Sequence, residues 1–134
     1  MKIVLRLISL ALAVSVAGTV WAIWFFWPRL FESLAHGDAG GVFGLWTILS
    51  WLLQLTLGSF AAVELWRLRE RGRIAAIVIY MNAILYNTLG AQSIGHLQQP
   101  LGWLYLLKAS WRVVLVIILF LPAAHRVCRH SAPA

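Results

Sequence analysis

Glu64-Leu-Trp-Arg-Leu-Arg-Glu-Arg-Gly-Arg73 is the stretch that decides the fold. It sets Arg67, Arg69, Arg71 and Arg73 between two apolar runs, each long enough to span a bilayer. A block this basic is very costly to move across a membrane, so it stays in the cytoplasm and orients everything attached to it. The expectation is an all-α, polytopic membrane protein of four transmembrane helices. These form an up-down-up-down bundle with both termini cytoplasmic.

Composition supports lipid as the main solvent. The hydrophobic fraction is 62% and the charged fraction 11%, against about 45–50% and 25% in soluble domains. Mean hydropathy is +0.85. A net charge of +7 would point to nucleic acid in a soluble chain. Here the positive residues gather at the ends of apolar runs, where they anchor to headgroups, and no polar domain exists to track phosphates. Nucleic acid is therefore not expected as a partner. Membrane lipid is, together with a second copy of the chain or another membrane protein. The single cysteine, Cys128, excludes an internal disulfide and a Cys-x-x-Cys redox centre.

Outward from the arginine block, the 134 residues read as one membrane domain with helices at about 3–27, 42–66, 74–94 and 101–124. Lys2, Arg6 and the apolar segment after them imitate a signal peptide. The run nevertheless continues through Trp27, so an uncleaved first helix is expected. Pro28 is expected to end it, with a polar external loop over 28–40. Gly72 is suited to end the second helix. Basic residues then set the orientation: Lys2 and Arg6, the four hairpin arginines, and Arg126 with Arg129 lie on one side. The tail from His125 to His130 is expected to be disordered.

Leu65-Trp66-Arg67-Leu68-Arg69, followed by Gly72-Arg73-Ile74-Ala75-Ala76-Ile77, resembles a link in many small uncharacterised four-helix bacterial inner-membrane proteins. Those often place a tryptophan among the basic residues, and here Glu70-Arg71 stand in the middle. The resemblance covers 13 of the residues above and implies a multi-pass location in the bacterial inner membrane; it implies no activity.

Polar residues at membrane depth are costly and mark candidate sites. Measured from the cytoplasmic helix ends, Ser15, Gln54 and Arg112 lie about 18 Å deep, Asn87 about 21 Å and Lys108 about 24 Å. Gln54, Asn87, Gln92, Lys108 and Arg112 are the candidate ligand-binding residues. Lys108 and Arg112, four apart, share a helix face. Either they snorkel outward, with Gln54 and Asn87 as interhelical glue, or they complete a cationic site for an anionic or polar-headed ligand. Gly58 and Ala62 form a small-xxx-small pair for close helix contact, and Trp21, Trp24, Trp27, Trp46 and Trp103 fall toward the outer side. Glu64 is placed to pair with Arg67, Arg6 or Arg73. Short four-helix multidrug transporters carry a glutamate deep in the first helix, and this chain has none there.

No histidine lies clearly in the core, as a transmembrane haem would require, so neither a metal nor a cofactor is expected. There is no HExxH, phosphate loop or Gly-x-Ser-x-Gly, and no paired carboxylates in the membrane. The leading expectation is a non-enzymatic accessory or assembly factor acting through helix packing. The alternative is a binder or carrier of a small amphiphile or anionic lipid.

Overall fold

The computed structural model describes residues 1–35, 39–90 and 102–130, and every described element is helical. Helix α1 spans Lys2–Ala35. Helix α2, Ala39–Leu53, passes through a π turn at Gln54–Gly58 into α3, Ser59–Trp66. Helix α4, Glu70–Leu85, likewise opens into a π turn at Tyr86–Gly90. Helices α5, Gly102–Phe120, and α6, Pro122–His130, complete the chain.

Among the described residues, two helical stretches are long and apolar enough to cross a membrane. They are Lys2–Arg29, with mean hydropathy 2.2, and Gly44–Trp66, with mean hydropathy 1.5. A third candidate is the pair Leu106–Phe120 and Pro122–His130, bent by 58°. The expected third span, 74–94, ends outside the described residues. Its described part carries Tyr80, Asn82, Tyr86 and Asn87, which lower its hydropathy. Apolar side chains face outward along α1: Val14, Trp21 and Trp24 are all mainly exposed. A surface of that kind is stable against lipid rather than water.

Cross-helix contacts give the register. Ser9 Oγ donates to the Ala62 carbonyl at 2.5 Å, and Gln54 Nε2 donates to Ser15 Oγ at 3.3 Å. Asn82 Nδ2 donates to Ser50 Oγ at 3.1 Å, while Thr47 Oγ1 and Tyr86 Oη share a hydrogen bond of 2.9 Å. Numbers rise on one helix as they fall on its neighbour, so α1 is antiparallel to α2–α3, which is antiparallel to α4. The tightest core lies toward the hairpin end. Leu5, Leu12, Leu65 and Leu119 are fully buried there, packed with Ala61, Ala76 and Ile79. Small alanines let the helix backbones approach where leucines from α1 and α5 fill the remaining space.

Four expectations are corrected. Pro28 does not end the first helix, which continues through it to Ala35. A proline forfeits one backbone hydrogen bond, but its fixed φ is already helical, and an otherwise unbroken helix absorbs the loss. Nor does Gly72 end the second helix. The chain turns at 67–69, where Leu68 takes the left-handed conformation at φ 58° and is buried, its burial offsetting the strain. Gly72 lies in the first turn of α4 because a Cβ there would fall onto the backbone of Glu64 and Leu65. The fourth helix is not continuous to Ala124. It stops at Phe120 because Pro122 has no N–H for the Ile118 carbonyl, which accepts Leu121 N instead at 3.2 Å. Finally, the expected disordered tail is α6, whose start at Pro122 suits a proline in the first helical position.

Candidate functional site

Two clusters of polar groups stand apart in this fold. The first is the hairpin end. Glu64, nearly buried, receives Arg69 Nη1 on both carboxylate oxygens at 3.2 Å, with Arg67 at 3.6 Å. The expected pairing of Glu64 with Arg67 is thus present, while Arg73 has another partner. Arg73 clasps Glu70 one turn earlier and donates from Nη1 to the Leu119 carbonyl at 2.7 Å. That carbonyl belongs to the last turn of α5, so a guanidinium closes a helix end that Pro122 left open. His125 of α6 stands with Nδ1 3.0 Å from Glu70 Oε1. The Arg73 guanidinium and the His125 ring hold the Glu70 carboxyl below its usual range, against a smaller opposing effect of burial. Burial pushes the Cys128 thiol up. Every charge here has a structural partner or faces outward.

The second cluster is a cavity of about 170 Å³ among α1, α2, α4 and α5. Ser15, Ser50, Gln54, Asn82, Asn87 and Arg112 give it its polar lining. Both π turns border it: one begins at Gln54, and the other contains Tyr86 and Asn87. A π turn widens the helix by one residue and re-aims the side chains on either side, which is why such turns recur at functional sites. Most of the polar groups are internally satisfied. Gln54 bonds Ser15, Asn82 bonds Ser50 and receives Trp46 Nε1 at 3.4 Å, and Asn87 Nδ2 donates to the Ala83 carbonyl at 2.7 Å. Trp46 also stands edge-on to Tyr86, with ring centroids 5.8 Å apart.

Arg112 differs from the rest. Its Nη1 is buried and has no hydrogen-bond partner among the described residues. Among the described residues no carboxylate lines the cavity, and Glu64 and Glu70 are engaged at the hairpin end. The buried Tyr80 hydroxyl, within electrostatic reach of Arg112, also has no partner among the described residues. An unpaired guanidinium in such a place costs several kcal/mol, roughly, unless water or an anion neutralises it. Chemically the cavity offers a fixed cation, amide and hydroxyl groups, and room for water-sized to headgroup-sized guests. Its described lining holds no nucleophile–base pair.

Of the five candidate residues, Gln54, Asn87 and Arg112 line this cavity. Lys108 is exposed and does not line it. It lies one turn before Arg112 on α5, about 6 Å along the helix axis. Gln92 lies outside the described residues. Ser50, Asn82 and Tyr86 were not singled out, although a pattern was there to read. Thr47, Ser50 and Gln54 repeat at steps of three and four, and Asn82 and Tyr86 at four, so each set shares a helix face. The π turns left no such mark.

The chain matches no family model, no curated protein and no solved structure.

Proposed function

We propose that the chain is a non-enzymatic, multi-pass protein of the bacterial inner membrane that binds a small anion or anionic headgroup in the cavity at Arg112. Four spans running up and down, with cytoplasmic termini, follow from the distribution of basic residues. The bacterial inner membrane rests on the hairpin's resemblance alone. The functional reading rests on a single observation: Arg112 Nη1 is buried in a polar cavity and, among the described residues, has neither a hydrogen-bond partner nor a carboxylate in the lining. A cavity of about 170 Å³ is smaller than the roughly 300–1,000 Å³ of drug-sized sites, so it suits a headgroup rather than a whole amphiphile.

An accessory role through helix packing has less support. Gly58 and Ala62, the pair available for close approach, are spent within the chain. A Cβ on Gly58 would stand 3.2 Å from Val16 of α1, and the Ala62 carbonyl accepts Ser9.

Native mass spectrometry from mild detergent tests the binding. Wild type retains an anionic adduct and Arg112→Leu loses it. A wild type without an adduct, across phosphate- and phospholipid-supplemented preparations, would overturn the reading. Topology has its own test. Reporter fusions after Ala134 and within 67–73 should behave as cytoplasmic, and fusions at His36 or Gln98 as external. A phosphatase reporter active after Ala134 would remove the four-span arrangement.

A further inference from the structure

Away from the Arg112 cavity, α1 and α3 leave an open groove of about 400 Å³ on the outer surface of the bundle. Its walls are Leu10, Ala13, Val63 and Trp66, and its floor is Ser9 and Ala62. The floor is already satisfied, since the Ser9 hydroxyl is spent on the Ala62 carbonyl. What remains is almost wholly apolar, and the small side chains of Ala13 and Ala62 make it concave. A bilayer fills any such furrow with hydrocarbon.

One end of the furrow is not apolar. Arg67 lines it there, with its side chain 59% exposed and only a 3.6 Å contact to Glu64, whose two oxygens are both taken by Arg69. Arg6, one turn before Ser9, places its guanidinium 5.4 Å from the centre of the Trp66 ring. Stacking on the indole holds Arg6 in position without using its N–H donors. Two exposed arginines and an interfacial tryptophan therefore stand at the head of an apolar trough. This is the arrangement of charge and hydrocarbon that a phospholipid presents in reverse.

We propose that this groove is a binding site for one anionic phospholipid of the leaflet that the arginine hairpin faces. One acyl chain lies along Leu10, Ala13 and Val63, and the phosphate is held between Arg6 and Arg67. The charge complementarity favours this occupant over a second copy of the chain. A second copy would have to bring an acid to the two arginines; Glu64 and Glu70 are already engaged within this one, and Glu32 and Asp38 belong to the expected external loop, on the side opposite Arg6 and Arg67.

The purified protein, exchanged into mild detergent with equal phosphatidylglycerol and phosphatidylcholine of matched chains, is read by native mass spectrometry. Retention of phosphatidylglycerol should exceed that of phosphatidylcholine by about tenfold, the scale expected for two interfacial arginines. The double variant Arg6→Gln/Arg67→Gln should bring the two lipids level. Ala13→Leu, at an exposed position in the trough, should lower retention of both. Arg112→Leu should leave the preference intact, which separates this site from the cavity. Circular dichroism confirms that each variant is folded before it is compared. Equal retention by wild type, or a preference that survives the double arginine variant, would overturn the proposal. So would a wild-type dimer that Ala13→Leu dissociates, since the groove would then hold a second copy.

Discussion

The hairpin end and the cavity each hold guanidinium groups that are at least partly buried, yet they treat them in opposite ways. At the hairpin, Arg69 and Arg73 meet Glu64 and Glu70, and Arg73 also closes the end of α5. In the cavity, Arg112 has a buried nitrogen with no acceptor among the described residues. A charge paired inside the chain is accounted for by the fold itself. One left unpaired at depth raises the question of what else neutralises it. The contrast teaches that the density of arginine in this sequence does not locate its function. Arg69 and Arg73 of the hairpin serve architecture, and Arg112 carries the functional proposal.

The sharpest way to break this comparison is to damage the architectural side. Gly72→Ala drives a Cβ into the backbone of Glu64 and Leu65, where no flexible side chain can move aside. Overpacking of this kind costs on the order of 3 kcal/mol. Denaturation in a graded detergent mixture should show the loss, and an unchanged midpoint would mean the hairpin is looser than its geometry.

Arg112→Leu should act in the other direction. Gln54 and Asn87 bond to Ser15 and to the Ala83 carbonyl, so removing Arg112 strands neither amide. The ligand-free protein should become more stable by up to about 2–3 kcal/mol, the insertion cost of a central arginine. The same variant should lose the anionic adduct. Stability lost together with the adduct would show that Arg112 is built into the fold after all.

Glu70→Gln should weaken the clasp between α4, α5 and α6 by about 1–3 kcal/mol, because Arg73 keeps its charge and loses its partner. Cys128, fully buried in α6, reports on it: its reaction with a pyridyl disulfide should accelerate in the variant. Acid should have the same effect on wild type. The folded Glu70 carboxyl lies below its ordinary value of 4.5, so its stabilisation is present above that pH. It is lost as pH falls through the lower folded value. Cys128 labelling that stays flat into that range would show that α6 docks by packing alone. The smallest effect belongs to Arg71, which is exposed. Arg71→Gln should change stability by less than about 0.5 kcal/mol.

The sequence by itself determined the helical class, the apolar runs and the position of the reversal. These depend on hydropathy and on charge at the ends of runs, and both are properties of composition along the chain. The polar layer was visible as well: Gln54, Asn87 and Arg112 were placed at similar depth by rise per residue alone. Only the tertiary structure decided which of those groups meet. Whether Arg112 turns inward while Lys108 turns out depends on the rotation of α5, which is set by packing its buried Leu115 and Leu119 into the core with Ala76 and Ile79 of α4. The details of helix ends also lay beyond local signals. Pro28 looked like a stop and is continued through, because the helix on either side is strong enough to lose one hydrogen bond. Leu68 holds the left-handed position that a glycine would ordinarily take, because burial against the core outweighs the backbone's preference. Local preference and tertiary burial are of similar size at such positions, so neither can be read without the other.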